Sequence, residues 1–286
     1  RTEESQPVFG GINAKAQEQA ELFQRRLVKR ARHLRKWPAK RGIHCYRLYE
    51  KDVPEIPLVV DKYDDHLHLS EFERPHDRDL AQHDDWLELM RVSAAEALDV
   101  PVSNTFLKRR GMQRGKAQHG RVSQERYEIE VEENGLKFLV NLSDYVDTGL
   151  FLDHRETRMM VCNESLDKDV LNLFAYTGSF SVYAADGGAK STTTVDLSSR
   201  YLDWAERNME LNGFTSAAHN YVQSDIREYL SSLPQEELFD LAIVDPPTFS
   251  NSKSTEQDWV IQEHYPELLN SVLNRLRPGG IIYFST

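Results

Sequence analysis

Cysteine is nearly absent. Only Cys45 and Cys162 occur in 286 residues, at no spacing that suits a metal site or a disulfide framework. That scarcity points to a reducing compartment, and the expected location is the cytoplasm. Long apolar runs are missing as well. No stretch of about 18 apolar residues occurs, which excludes a transmembrane helix. The opening RTEESQPVFGG lacks the apolar core of a signal peptide. Ten histidines show no ligand spacing, so no metal is expected. Glycine-rich phosphate loops are absent too. No G-x-G-x-x-G follows the first strand of the second half, so little is built to hold a pyrophosphate, and no G-x-x-x-x-G-K-[ST] occurs, which excludes a P-loop.

Acids are also missing where they matter. The chain carries a net charge of -11, yet residues 1–124 hold 23 Lys and Arg against 19 Asp and Glu, whereas residues 125–286 hold 12 against 27. Between Leu22 and Tyr49 there are ten basic residues and no acid. A second acid-free block carries Lys108, Arg109, Arg110, Arg114, Lys116 and Arg121. A solvated helix face followed by a basic loop would read the same way. An anionic protein that concentrates its cations in two blocks favours a phosphate-binding surface. The candidates are Arg25, Arg26, Lys29 and Arg30 in the first block, and Lys108, Arg109, Arg110, Arg114 and Lys116 in the second.

What is present divides the chain by rhythm. Residues 13–42 carry Leu22, Leu27, Ala31 and Leu34 at near-helical spacing, and Gly42 can end the run. Short strands CYRLYE, PLVVD and HLHLSEF follow, the last alternating Leu67 and Leu69 against His66 and His68. A helix is predicted over 79–98. YEIEVEENGLKFLVNL reads as a hairpin turning at Asn134-Gly135. These patterns predict a linker and basic helical arm (1–44) and a small α+β domain (45–145). From about residue 146 strands alternate with helices: DVLNLF, STTTVD, HNYVQSD, FDLAIVD and GIIYFS are separated by helical patterns. That alternation predicts a parallel, doubly wound sheet over 146–286. The sequence stops directly after a strand, and further strands of the sheet are expected outside it.

In such sheets ligands bind beyond the carboxyl ends of the strands. The first strand ends in Asn172-Leu173-Phe174-Ala175-Tyr176-Thr177-Gly178; the next three end in Asp196, Asp225 and Asp245. One aspartate after a strand reads as a helix cap. Three on successive strands, one followed by two prolines, read as a site. Asp196 lies 18 residues after Gly178, near the spacing at which an acid meets ribose hydroxyls. With no pyrophosphate loop, a nucleoside without phosphates fits best, and S-adenosylmethionine is such a ligand. Asp196 would accept from the ribose, Asp225 would lie near the adenine amino group, and Phe174–Gly178 would border the amino-acid end.

NLFAYTG, TTTVDLSSRYLDWAERNMELNG, DPPTFSNSK and DYVDTGLFLDHR (Asp144–Arg155) together resemble the class I S-adenosylmethionine-dependent methyltransferases that act on ribosomal RNA. The resemblance is to the C-terminal half of the bacterial two-domain 23S rRNA guanine methyltransferases. It implies a Rossmann-like sheet behind a small α+β domain, S-adenosylmethionine as methyl donor, 23S rRNA as substrate and N7-methylguanosine as product. It also implies a second half, outside this chain, that methylates guanine N2. The FLDHR segment implies Asp153 and Arg155 near the cofactor, and DLSS implies Leu197 and Ser198 beside Asp196. The two basic blocks would then hold RNA phosphates.

Asp245-Pro246-Pro247-Thr248-Phe249 is the expected transfer loop. Both prolines fix φ and remove backbone donors, which stiffens the loop. Phe249 is placed to stack on an extruded base; the bland alternative puts it in the core. Guanine N7 needs no deprotonation, so positioning dominates. An exocyclic amine would need an acceptor such as Asp245, and a non-catalytic RNA-binding module would keep a degenerate form of the cofactor pocket. Cytosine C5 methylation needs a cysteine nucleophile, and relatives of that type carry one just past the strand that here ends YFST. Asn208, Asn212 and Trp204 read as structural.

Overall fold

The computed structural model describes residues 11–72, 75–110, 127–143, 147–247, 249–250 and 259–285. Two sheets organise them. The first is built by β1 (Cys45–Glu50), β2 (Leu58–Tyr63), β3 (His66–Phe72) and β4 (Thr105–Arg110) in the order β1-β2-β3-β4. Its pairs are antiparallel except β3 with β4, which run parallel because α3 (Leu80–Leu98) crosses between them. The amphipathic helix α1 (Ala14–Leu34) buries Ala16, Ala20, Phe23 and Leu27. It packs with α3 on one face of this sheet, around Leu48, Val60, Leu69, Trp86 and Met90.

The helix expected over 13–42 is two helices, α1 and α2 (Lys36–Arg41). Pro38 has no N–H to give the carbonyl four residues back, at Leu34, and α1 ends there. Gly42 ends α2 in the left-handed region, with φ 58°.

The hairpin β5 (Glu128–Glu133) and β6 (Leu136–Asn141) covers the other face of the first sheet. Its Phe138 and Val140 share a core with Cys45, Tyr63, Tyr183 and Met209. This explains a departure from the alternation of β3. His66 and His68 are buried along with Leu67 and Leu69, because the strand is covered on both sides.

The second sheet is parallel and five-stranded. β7 (Asp169–Leu173), β8 (Ser191–Asp196), β9 (His219–Gln223), β10 (Phe239–Val244) and β13 (Leu276–Phe284) stand in the order β13-β10-β7-β8-β9. The connecting helices are α5 (Ser179–Asp186), α6 (Ser199–Leu211), α7 (Ile226–Ser232) and α8 (Ile261–Leu273), with α4 (Arg155–Glu164) leading in. After β10 the backbone forms a two-residue pair, β11 (Phe249–Ser250) with β12 (Trp259–Val260). The fold is thus the α/β, Rossmann-like arrangement expected from the rhythm after residue 146. Among the described residues no helix is long and apolar enough to cross a membrane.

Strand order decides where the site falls. The chain runs outward from β7 through β8 to β9, then returns to β10 on β7's other side. β7 and β10 therefore flank the switch point, and the crevice opens beyond their carboxyl ends.

Candidate active site at the strand ends

Two loops border that crevice. The first follows β7 and is strained. Phe174 has φ 56° and Tyr176 φ 50°, a region that bulky L-residues rarely enter, and Gly178 follows at φ 70°. Neighbours hold it there. Ala175 N–H donates to the Val195 carbonyl at 3.1 Å, and Tyr176 N–H to Asp196 Oδ2 at 2.9 Å. Thr177 Oγ1 donates to the Gly149 carbonyl at 2.5 Å. Gly178 cannot be replaced freely: a Cβ would lie 2.6 Å from that of Ala205. The Tyr176 ring meets Tyr201 edge-on at 4.6 Å and Phe151 at 5.3 Å, and burial raises its phenol well above the usual tyrosine range.

Asp196 ties this loop to the next. Its Oδ1 accepts the Ser198 N–H at 2.9 Å while Oδ2 accepts that of Tyr176. A carboxylate has about four acceptor positions, and these two bonds take one on each oxygen. Leu197 beside it is 41% exposed and Phe151 42%, so apolar surface stands open on two loops of the crevice. These features fit a nucleoside. Asp225 is the N-cap of α7; its Oδ1 accepts from Arg227 N–H at 2.9 Å and Glu228 N–H at 3.3 Å. The capping reading of this aspartate is realised.

The second loop begins at Asp245, directly after β10, with Pro246 buried and Pro247 exposed. Phe249 lies in β11, opposite Val260. A residue that sequence reasoning passed over approaches Asp245. His154 Nε2 stands 3.6 Å from Asp245 Oδ2, and its ring meets Phe180 at 5.8 Å and Phe151 at 6.4 Å. His154 lies within the FLDHR motif, between the two charged residues that the resemblance nominates.

Those neighbours have other surroundings. Asp153 is exposed in the short turn Leu152–His154, and its charge acts on Arg47. Arg155 is 6% exposed; its Nε donates to Glu133 Oε2 at 2.7 Å, and it also bonds the Cys45 carbonyl. Arg158 holds the other oxygen of Glu133 at 2.6 Å, and Tyr183 donates to it at 2.9 Å. Arg155, expected beside the cofactor, thus belongs to a buried ion cluster that fastens β5 to α4. Asn172 is likewise internal. It is 1% exposed, and its amide donates to Ser181 Oγ at 2.9 Å, which in turn meets Thr194 Oγ1 at 2.8 Å. It fixes α5 to the sheet beneath the loop.

The residues read as structural close the site from behind. Asn212 exchanges hydrogen bonds with both backbone groups of Lys137, at 2.8 and 2.7 Å. Asn208 accepts from Leu139 N–H at 2.9 Å and donates to the Thr177 carbonyl at 2.9 Å, while Trp204 Nε1 donates to the Leu139 carbonyl at 3.0 Å. Trp204 and Asn208 of α6 and Asn212, which caps it, therefore cover the edge of β6 at i, i+4 and i+8, and Asn208 also holds the β7 loop.

Cys45 is buried in β1 and Cys162 lies on α4. Burial and the nearby Glu133 push the Cys45 thiol up to about 12, and burial also raises that of Cys162 on α4.

The cationic blocks are sorted by the fold. Arg25 and Lys29 are exposed on α1, whereas Arg26 bonds Asp52 at 2.8 Å and Arg30 donates to the Leu48 carbonyl at 3.2 Å. Lys108 corrects the reading of the second block: it is 6% exposed, with Nζ 3.5 Å from the Asn141 carbonyl. Arg109 and Arg110 lie at the end of β4. Arg114 and Lys116 lie outside the described residues.

Comparison with known proteins agrees with this geometry. A model of the S-adenosylmethionine-dependent methyltransferases matches residues 49–285. The chain is 46% identical over 276 residues to the ribosomal RNA large subunit methyltransferase K/L of Pseudomonas entomophila, covering 95% of this chain and 37% of that protein. It is 44% identical over 263 residues to the protein of the same name from Vibrio cholerae, covering 92% and 37%. The chain thus spans little more than a third of the length of these relatives. A methyltransferase crystallised with S-adenosylhomocysteine superposes with a TM-score of 0.76 at 25% identity, over 93% of this chain and 68% of its own. The strained loop, the strand-end acids and these likenesses agree, and the chain belongs to the S-adenosylmethionine-dependent methyltransferase family.

Proposed function

We propose that this chain methylates a guanine of 23S rRNA at N7, in the crevice between the loops after β7 and β10. The observation that carries the reading is Asp245. It stands at the end of β10, at the switch point, beside the strained loop whose neighbour Asp196 suits a nucleoside. The relatives named for large-subunit ribosomal RNA supply the substrate class.

S-adenosylmethionine supplies an electrophilic methyl group on a sulfonium. Asp196 would hold the ribose hydroxyls, Leu197, Ser198 and Asp225 would lie toward the adenine, and Phe174 to Gly178 would border the amino-acid end. Asp245 adds negative charge beside a cationic donor. Pro246 and Pro247 limit the motion of its loop, and Phe249 stacks on the extruded guanine. N7 has an in-plane lone pair and no proton, so the residues act by positioning. A second reading, methylation of the exocyclic N2, rests on the same Asp245, which would accept the departing proton. The whole two-part enzyme would join this activity to an N2-methylating half, in the cytoplasm, where rRNA is made.

The test is transfer of labelled methyl to unmodified 23S rRNA, followed by nuclease digestion. N7-methylguanosine bears a fixed positive charge and its imidazole ring opens in alkali; the N2 product does neither. An alkali-stable product would move the assignment to N2. No incorporation by a chain that binds S-adenosylmethionine would favour the RNA-binding module.

A further inference from the structure

The ten cations between Leu22 and Tyr49 are not one patch. On a helix each residue turns by about 100°. Arg26 and Arg30 lie about 60° from the buried Phe23 and Leu27, and this brings them to Asp52 and the Leu48 carbonyl. Arg41 holds Glu156 through bonds of 2.7 and 3.1 Å, and Arg47 holds Asp61 at 2.8 Å. Arg26, Arg30 and Arg41 anchor the arm to the rest of the molecule, and Arg47 pairs within the first sheet. Arg25, Lys29, Arg32 and Lys36 instead follow the spacing i, i+4, i+7 and i+11, on the side of the helix away from Phe23 and Leu27. All four are exposed. The backbone stays helical through Arg35, with φ -47° and ψ -33°, so the ridge continues into α2. The one carboxylate paired with this set among the described residues is Glu21, 3.8 Å from Arg25 and exposed. Such a contact is readily screened by salt.

Arg25, Lys29 and Arg32 overhang a groove of about 730 Å³ between α1 and α3, with Val28 and Ala97 along it. The acid in the groove, Glu96, is held by the Gln24 amide at 3.0 Å. The ridge also leads somewhere. It ends at α2, where the Trp37 ring lies 5.9 Å from the guanidinium of Arg41 and 5.6 Å from that of Arg155. Arg155 directly follows His154, the neighbour of Asp245.

We propose that the ridge Arg25–Lys29–Arg32–Lys36 and the groove beneath it form a phosphate track that holds one strand of the RNA substrate and directs it toward the crevice. The inference rests on the RNA reading above. Four exposed cations in line, only Arg25 of them within 4 Å of a carboxylate among the described residues, suit the regularly spaced charges of a nucleic-acid backbone.

The test is binding of the full chain to a 23S rRNA fragment as salt is varied. It compares the native protein with Arg25→Glu/Lys29→Glu/Arg32→Glu, and with a control carrying Lys137→Glu, Lys168→Glu and Lys190→Glu. A milder triple to Gln repeats the test with less repulsion, and binding of S-adenosylmethionine reports that each protein is folded. The track predicts at least a tenfold loss of affinity and a salt dependence shallower by about two to three ions in the triple, and little change in the control. Native RNA affinity in both triples overturns the track and leaves the face to an acidic protein partner. A native chain that binds S-adenosylmethionine but shows no salt-dependent RNA affinity overturns the RNA reading itself.

Discussion

The parallel-sheet half and the basic arm use charge in opposite ways. In the sheet half, topology places the charges. Asp196, Asp225 and Asp245 stand where they do because their strands end there, and backbone N–H groups orient the first two. In the arm, helix rotation places them. Arg26 and Arg25 are adjacent in sequence, yet the first is paired with Asp52 and the second faces solvent. Residue type therefore predicts function well at a strand end and poorly on a helix until its buried side is known.

The comparison can be broken at its joints. The largest effect is expected at Glu133, where the hairpin meets α4. Glu133→Ala leaves Arg155 and Arg158 buried without their carboxylate. About 3–5 kcal/mol of stability should be lost, read as a shift in the urea midpoint. A loss under 1 kcal/mol would mean that the cluster is not a structural joint.

Next comes Gly149, which supports the β7 loop through Thr177. It has φ 102°, and a Cβ there would lie 2.3 Å from Trp204. Gly149→Ala should cost about 2–4 kcal/mol and weaken S-adenosylmethionine binding, since the loop is held from this carbonyl. Unchanged binding in a destabilised variant would separate the loop from the cofactor.

Asn208→Ala should cost less, about 1–3 kcal/mol, by leaving the Leu139 N–H and Thr177 carbonyl without their partner. Its signature is coupling. In a double-mutant cycle with Thr177→Val the two losses should fall short of additive. Strict additivity would place the two residues in separate networks.

Much of this was legible beforehand, for identifiable reasons. Alternating strands and helices gave the doubly wound sheet, and strand ends located Asp196 and Asp245 without any contact being known. Asn208 and Asn212, four apart, were read as structural, and their bonds to β6 supply the reason. Other features depended on packing that periodicity does not report. Whether Arg155 faced a ligand or Glu133 depended on where the hairpin lay. Lys108 looked like part of a basic loop because the neighbour that covers it, β6, is distant in sequence. His154 carried no pattern of its own; only the approach of β10 brings it to Asp245.

The central claim is that the strand ends bind S-adenosylmethionine through Asp196. Calorimetric titration of the native chain and of Asp196→Asn, both shown folded by circular dichroism, tests it most directly. The account predicts micromolar binding by the native chain and a loss of about 10- to 100-fold in the variant, the worth of charge-assisted hydrogen bonds to two hydroxyls. Equal affinities, or no binding by the native chain, would contradict it.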